Sequence, residues 1–357
     1  MRPAVAPLVI GILGVVGVVL GFALDTTEAA YAYLTAWAFA ISIALGALVF
    51  LMTGYAMGAK WTALYERSAA AIVGTLPVLA ILFVPLVIWA PSLYPWLHAP
   101  PADIEVAARA AHRAAWLNLP FWTIRAAIFL GFWVVAGELM RRRPSPAIAC
   151  VLFMPLGLTV TFAAFDWLMS LEPDWISTVY GLIYFSGGFV AALALIAVVS
   201  RGTAAATGAL SRLIHGFLIF WLYVEFAQGF IIWIANKPEE VPWYVLRGNG
   251  GWGEILAILA LGAFVVPFFA FLPRNISRDP RWAAAVGVWI VCLHYLNMAW
   301  LVMPALHAAP ELHWVDVAAP AAVLGLAAAI AIWRRPARLA VDDPRLARAT
   351  AYRGNDS

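Results

Sequence analysis

The sequence predicts an all-α, polytopic membrane protein with about ten transmembrane helices. Of its 357 residues, 64% are hydrophobic and only 11% are charged, whereas roughly a quarter of the residues in a soluble domain are charged. The apolar residues are gathered into runs, each near the ~20 residues that one bilayer crossing requires. This composition excludes a soluble enzyme, a disordered chain and a disulfide-rich scaffold.

The apolar runs are bounded by proline, glycine and charged residues, which places the helix ends. We expect spans at about Pro7–Leu24, Thr35–Gly54, Ala69–Trp89, Ala114–Leu139, Ala147–Phe165, Ser177–Ser200, Leu213–Ala235, Trp252–Leu272, Trp282–Ala305 and Val315–Trp333. The first run lacks a small-residue cleavage site and is followed by an acidic turn at Asp25–Glu28, so it is interpreted as a retained helix. The predicted transmembrane domain covers residues 1–335, and a basic cytoplasmic tail covers 336–357.

Basic residues are divided unevenly between the two sides of this topology. Four lie in connections on one side, Arg109, Arg113, Lys237 and Arg247, and Arg125 lies within a span. The other 17 of the 22 lie on the opposite side: Arg2, Lys60, Arg67, Arg141, Arg142, Arg143, Arg201, Arg212, Arg274, Arg278, Arg281, Arg334, Arg335, Arg338, Arg345, Arg348 and Arg353. Because Lys and Arg are retained in cytoplasmic loops, both termini are expected to be cytoplasmic.

Two connections on the outer side are long enough to have structure of their own. In residues 91–113, the stretch Asp103–Arg109 is amphipathic and is expected to form a short helix on the membrane surface. Residues 236–251 are too polar to be buried in lipid. The two cysteines, Cys150 and Cys292, both lie in apolar runs, so neither a disulfide framework nor a cysteine-ligated cluster is predicted.

Ionisable residues within spans are costly, at least about 2.5–3.5 kcal/mol each on insertion scales, so each requires an explanation. Arg125 and Glu225 are expected near the middle of the bilayer, Asp166 at the outer end of the fifth span, and His215 and His294 nearer the cytoplasm. Carboxylates and imidazoles suit proton transfer, because burial and neighbouring charges move their pKa values toward neutrality. These five residues are therefore candidates for a proton pathway across the membrane.

A structural interpretation of the same residues remains open. Arg125 and Glu225 could form one buried ion pair that holds two helices together, and His215 could extend toward the lipid headgroups. His294 could equally be a core histidine with a satisfied hydrogen bond. For the other histidines, no spacing predicts a metal site.

A haem site and a quinone site would require different residues in the sequence. Haem b commonly requires two facing axial ligands, and the two intramembrane histidines, His215 and His294, are expected at different depths. A quinone headgroup requires flat apolar walls together with a carboxylate or imidazole that exchanges its protons. Asp166, Trp167 and Glu172 could supply such a site, although most outer tryptophans are explained by the interfacial aromatic belt.

Three stretches carry a resemblance to a known family. They are Phe165–Gly181 with the sequence FDWLMSLEPDWISTVYG, Ala115–Arg125 with the sequence AWLNLPFWTIR, and His215–Tyr244, which includes Glu225. The first resembles the signature that joins two central helices in a membrane subunit of bacterial alternative complex III, a quinol:electron-acceptor oxidoreductase. The second and third are similar to the fourth and seventh helices of the polysulfide reductase membrane-subunit (NrfD-like) family, to which that subunit belongs. The resemblance covers about residues 30–310.

The resemblance implies two four-helix bundles, at about residues 35–165 and 177–305, flanked by two peripheral helices. It implies a proton-conducting route or a second quinone site, with menaquinone or ubiquinone as the quinone. Asp166 matches the aspartate of the signature and Arg125 the arginine of the fourth helix. The implied partners are a paralogous quinol-oxidising subunit, a multihaem cytochrome c and an iron–sulfur subunit, which would carry the haem and clusters. The implied location is the bacterial inner membrane.

Three functional hypotheses follow. The first is a membrane subunit of a quinol-oxidising respiratory or photosynthetic electron-transfer complex, not catalytic alone, that conducts protons or binds quinone. The second is an architectural anchor for haem and iron–sulfur subunits, in which the polar residues serve packing. The third is a secondary transporter, which would also tolerate buried charges and two similar bundles. Nothing in the sequence suggests a nucleic acid partner.

Overall fold

The computed structural model describes residues 4–98, 104–238, 240–336 and 344–354. In chain order, the first nine α-helices of these ranges are α1 (Val5–Leu24), α2 (Thr26–Ala56), α3 (Ala63–Val73), α4 (Leu76–Ile81), α5 (Val84–Ile88), α6 (Ala90–Leu93), α7 (Ile104–Arg113), α8 (Leu119–Arg142) and α9 (Pro146–Trp167). The others are α10 (Tyr180–Val199), α11 (Ala204–Ala235), α12 (Val241–Gly248), α13 (Trp252–Ile258), α14 (Val266–Phe271), α15 (Arg274–Ser277), α16 (Pro280–Val302), α17 (Val315–Trp333) and α18 (Pro344–Thr350).

The prediction of an all-α protein with ten membrane-spanning helices is confirmed. Within the described ranges, ten helical stretches are long and apolar enough to cross a bilayer. The third consists of a 3₁₀ turn at Lys60–Thr62 followed by α3 to α5, and the eighth consists of α13, a π-helical segment at Leu259–Val265, and α14. The multi-pass membrane location follows from these ten helices.

Several helix ends differ from the predicted ones, because capping residues decide them rather than hydropathy. The predicted acidic turn is a single residue, Asp25, whose side chain accepts a hydrogen bond from the Glu28 amide and thereby caps α2. The second span therefore begins at Thr26, nine residues before the predicted Thr35. Asn118 caps α8 in the same way, so the fourth span begins after the predicted Ala114.

The helix α2 is the buried axis of the molecule. Each residue from Glu28 to Met52 is buried, as expected for a helix that is apolar all round. The helices α3, α4, α8 and α9 pack around one side of α2, and α10 and α16 pack against another. The helix α10 also contacts α9 and α11, so α2 and α10 join the first half of the chain to the second.

The crossing of α2 with α10 depends on two glycines. A Cβ atom on Gly46 would lie 2.7 Å from the Ala192 Cβ, and a Cβ atom on Gly188 would lie 2.7 Å from the Ser42 Cβ. Membrane helices associate through such close packing, because burial from lipid supplies no hydrophobic gain between them. The crossing therefore has no room for a side chain at either glycine.

The third span is interrupted where prolines follow Leu76 and Val84. Proline removes a backbone donor and disrupts the helical ladder, which leaves carbonyl groups without helical partners. Side chains of α2 satisfy two carbonyls of this span, since Trp37 donates to Leu79 O at 2.8 Å and Tyr33 to Leu82 O at 2.7 Å. Tyr31 donates to a third carbonyl, Leu93 O of α6, at 3.2 Å. The aromatic residues of α2 thus hold the broken helix in place.

The remaining helices lie at the periphery. The helices α1 and α17 pack on each other, and both contact α2. At one end of the bundle lie α7 and α12, and we call this the outer end, following the predicted topology. The predicted surface helix Asp103–Arg109 corresponds to α7, although Asp103 itself lies outside the described residues. At the opposite, basic end, α18 packs on α3 and the Lys60–Thr62 turn.

Replacing Gly188 by leucine is expected to force α2 and α10 apart. Overpacking of a close contact costs about 1–3 kcal/mol, so the thermal unfolding midpoint of the purified protein in detergent should fall by several degrees. The matched control is Gly131→Leu on α8, where no heavy atom lies within 4 Å of the added Cβ. Equal unfolding midpoints for the two variants would show that the crossing is not tight.

Candidate functional site

Arg125 and Asp166 form an ion pair between α8 and α9. The Arg125 Nε donates to Asp166 Oδ2 at 2.6 Å, and Nη2 donates to Oδ1 at 2.9 Å. Trp116 Nε1 also donates to Oδ1, at 2.9 Å. The guanidinium carbon lies 4.1 Å from the centre of the Trp116 ring and 4.3 Å from that of Phe121. Both charged side chains are buried, so the pair is enclosed and its carboxylate oxygens all accept hydrogen bonds.

This pair lies near the outer ends of its two helices. Arg125 follows the first residue of α8, Leu119, by six residues, or about 9 Å at 1.5 Å per residue, and Asp166 is the penultimate residue of α9. Arg125 is therefore closer to the start of its helix than the roughly 16 Å that the predicted start at Ala114 gave, because the helix begins after the Asn118 cap. The depth of a charge along a span depends on where its helix begins.

The residues next to Asp166 are equally enclosed. The Trp167 ring is buried and packs against Trp37 and Trp133, with ring centres 5.1 and 5.5 Å apart. The Tyr94 hydroxyl donates to Trp167 O at 3.1 Å. Burial raises the pKa of Tyr94, and the nearby Asp166 carboxylate raises it further. Tyr94 thus stays protonated and acts as a hydrogen-bond donor.

A second ion pair at the outer end joins Glu172 to Arg247. Arg247 on α12 donates to both Glu172 oxygens and to Leu301 O at 3.0 Å. Its guanidinium carbon lies 3.7 Å from the Trp243 ring centre, and its side chain is 1% exposed. Sequence reasoning counted Arg247 as a loop residue and missed this role. The usable signal was its spacing from Trp243, which puts both on one face of a short helix.

A cavity of about 1020 Å³ opens beside this second pair. Glu172, Trp175 and Trp243 line it, together with Arg109 of α7. The Trp175 and Trp243 rings are stacked, with centres 4.2 Å apart. We call this space the outer cavity. Glu172 is 24% exposed there, whereas the carboxylate of Asp166 is fully buried.

His294 lies at the junction of α2, α10 and α16. Its Nε2 is 3.0 Å from Ser42 Oγ, and that hydroxyl also contacts Phe39 O at 2.8 Å. A serine hydroxyl has one proton, and Phe39 O can only accept, so Nε2 donates to Ser42 in this arrangement. In the neutral imidazole this leaves Nδ1 with a lone pair. Nδ1 is buried and has no hydrogen-bond partner among the described residues.

Two residues of α11, Trp221 and Glu225, extend the group of polar side chains that begins with Ser42 and His294. The centres of the Trp221 and His294 rings are 6.5 Å apart. Both rings pack against Gly187 of α10, where an added Cβ atom would lie 3.2 Å from Trp221 and 3.4 Å from His294. Trp221 Nε1 lies beside the Glu225 carboxylate but makes no hydrogen bond to any residue that the structure describes. We call Ser42, His294, Trp221 and Glu225 the polar line.

Polar side chains lead from Glu225 toward the outer end. Burial raises the pKa of the Tyr244 hydroxyl on α12, and the nearby Glu225 carboxylate adds to this rise. One turn beyond Glu225, Gln228 Oε1 accepts a hydrogen bond from Ser177 Oγ at 2.9 Å. Glu225 itself is half-buried, ten residues or about 15 Å before the last residue of α11. The Tyr244 ring packs edge-on against Trp243, which lines the outer cavity, so Tyr244 connects the region of Glu225 with that cavity.

His215 lies apart from this group, six residues before Trp221 on the same helix. Its ring packs edge-on against Phe268, with ring centres 4.8 Å apart, and Nε2 has no partner among the described residues. The structure thus places Glu225 and His294 each beside Trp221, and pairs Arg125 with Asp166, but leaves His215 outside both groups. The Arg125–Glu225 ion pair that the structural interpretation allowed is not formed, because Arg125 is paired with Asp166.

Asp166 and Trp167 do not fit a quinone headgroup. The Asp166 oxygens are occupied by Arg125 and Trp116, and both residues are enclosed. Glu172 reaches the outer cavity, but its carboxylate is bound by Arg247. We therefore derive no step through a quinone at these residues. In the described ranges, no three His, Cys, Asp or Glu residues are grouped as metal ligands.

No protein-family model matches the sequence, and no curated protein is significantly similar to it.

Replacing Asp166 by asparagine is expected to destabilise the protein strongly. The substitution leaves the Arg125 charge buried without a counter-ion, which costs about 3–5 kcal/mol. The thermal unfolding midpoint in detergent measures this loss. The double variant Arg125→Met with Asp166→Leu should recover much of it, because it removes both charges and keeps the volume.

The matched control for this variant is Asp174→Asn. Asp174 pairs with Arg109 and Arg113 on the surface and is 62% exposed, so its loss should cost at most about 1 kcal/mol. If Asp166→Asn were no more destabilising than Asp174→Asn, the Arg125–Asp166 pair would not stabilise the outer end.

Proposed function

We propose that this chain is a proton-conducting membrane subunit of a quinol-oxidising electron-transfer complex. The observation that carries the proposal is the polar line, in which the lone pair of His294 Nδ1 and the Trp221 Nε1 donor lie buried and unpartnered near Glu225, among the described residues. The resemblance of Phe165–Gly181 to the signature of alternative complex III supplies the type of complex. The ten membrane helices support an integral membrane subunit.

The chemistry of the polar line suits proton transfer. A carboxylic acid and an imidazole both bind and release protons, and an imidazole can accept a proton on one nitrogen while the other donates. A tryptophan donor carries no proton onward, so transfer between Glu225 and His294 requires water. Gly187 lets both rings approach α10 closely, and a water molecule bound by the Nδ1 lone pair and the Nε1 donor would complete their hydrogen bonds and the proton route.

The proposed complex assigns electron transfer to other components. Its partners would be a paralogous quinol-oxidising subunit, a multihaem cytochrome c and an iron–sulfur subunit in the bacterial inner membrane. In this arrangement Glu225 exchanges protons with the outer cavity through the region of Tyr244 and Glu172. His294 and Ser42 would form the end of the polar line that is farthest from the outer cavity.

The variant Glu225→Gln tests this role. It keeps the size of the side chain and removes its proton exchange, so quinol-dependent proton movement by the intact complex in vesicles should fall about tenfold or more. The control is Glu254→Gln on α13, an exposed glutamate that undergoes the same chemical change and should leave proton movement unaltered. Acidification on one side of the vesicles, together with electron transfer, provides the measurement.

Unchanged proton movement in Glu225→Gln, with normal assembly, would contradict conduction through the polar line. The second candidate function, an architectural anchor, is favoured by the complete pairing of Arg125 with Asp166. It predicts that Glu225→Gln lowers activity only in proportion to the amount of complex assembled. Activity per assembled complex therefore distinguishes the two functions.

A further inference from the structure

We propose that the basic end of the protein binds the phosphate headgroup of an anionic phospholipid. A cavity of about 600 Å³ lies between the turn that begins the third span and the chain that follows α18. Lys60, Arg348 and Arg353 line this cavity, together with Trp61 and Tyr352. We call it the headgroup cavity. Its volume lies within the roughly 300–1,000 Å³ of small-molecule sites.

The cations of the headgroup cavity have an acidic neighbour, Glu66, which lines an adjoining cavity with Lys60 and Arg348 and is paired with Arg345. Among its described lining residues none is acidic. Arg348 Nε donates to Pro344 O at 3.1 Å and Arg353 Nη1 to Thr350 O at 3.3 Å, so both arginines contact backbone carbonyls. Three cations that converge on one cavity attract an anion with several acceptor oxygens, and a phosphate group is such an anion.

The position of these cations is set by tertiary contacts. On α18, Arg345 donates to the Tyr55 hydroxyl at 2.6 Å and to Glu66 Oε2 at 3.2 Å. Ala349, on the same helix, is fully buried. Because Arg348 lies between these two anchored residues, its guanidinium group is held beside Lys60 rather than left on a flexible tail.

The surroundings of the cavity favour a lipid over a free anion. Lys60 is the first residue of the third membrane span, so the cavity lies at the level where a span meets water. The Trp61 ring packs against Phe50 and Tyr65, with ring centres 5.9 Å away in both cases, and Met57 is 77% exposed nearby. Basic pockets at membrane helix ends bind acidic headgroups, and apolar neighbours accommodate the acyl chains.

The test measures lipid retention by the purified full-length protein. The protein is equilibrated with equal amounts of dioleoyl phosphatidylglycerol and dioleoyl phosphatidylcholine, washed in detergent, and the retained lipids are quantified by mass spectrometry. The wild type should retain phosphatidylglycerol preferentially. The double variant Lys60→Gln with Arg348→Gln should lose the preference by about fivefold for each cation removed.

The control variant is Arg201→Gln with Arg281→Gln, two exposed arginines that undergo the same change of charge outside the cavity lining. It should retain phosphatidylglycerol like the wild type. Equal loss in both double variants would overturn the site in favour of general surface charge. A further experiment measures the thermal unfolding midpoint of the wild type with phosphatidylglycerol or with inorganic phosphate alone. If inorganic phosphate raised the midpoint as much as phosphatidylglycerol does, the cavity would bind free phosphate and the lipid assignment would be wrong.

Discussion

The close crossing of α2 and α10 is the constraint on which the rest of the structure depends. Lipid gives no hydrophobic reward for bringing two apolar helices together, so they associate only where their surfaces fit closely. Gly46 and Gly188 provide that fit, since a Cβ on either would meet its neighbour at 2.7 Å. The same crossing brings α16 to α2 and places His294 against Ser42. The polar line therefore exists because two glycines let the central helices touch.

Buried polar groups in this protein fall into two kinds, which differ in whether their hydrogen bonds are complete. Arg125 and Asp166 satisfy one another with help from Trp116, and such a pair holds helices together while offering nothing to a substrate. Nδ1 of His294 and Nε1 of Trp221 lack partners among the described residues, and an unsatisfied buried group costs about 1–3 kcal/mol. Incomplete groups that lie near an ionisable side chain, as in the polar line, are the better candidates for proton transfer, because water or a proton carrier would remove that cost.

Much of the fold could be predicted from the sequence, but few of the pairings could. Composition and run length are local properties, so they predicted ten spans correctly. Because Asp25 and Asn118 act as caps, two helices begin several residues away from their predicted starts. The distance of Arg125 from the start of its helix changes accordingly. A single sequence does not show which helices are neighbours. Thus the bond between Ser42 and His294, 252 residues apart, was not predicted, and Arg125 was considered with Glu225 rather than with Asp166.

Charged groups at the outer end differ from Glu225 in how their burial is compensated. Both buried arginines there, Arg125 and Arg247, are held by a carboxylate and by the face of a tryptophan ring. They lie close to helix ends, where water and headgroups reduce the cost of burial. Glu225, by contrast, lies about 15 Å from the outer end of α11 without an arginine or lysine partner in the described ranges. An ionisable group at that depth is costly unless it is neutral or exchanges protons. A helix packing role would be served as well by glutamine, and only proton exchange requires the acid.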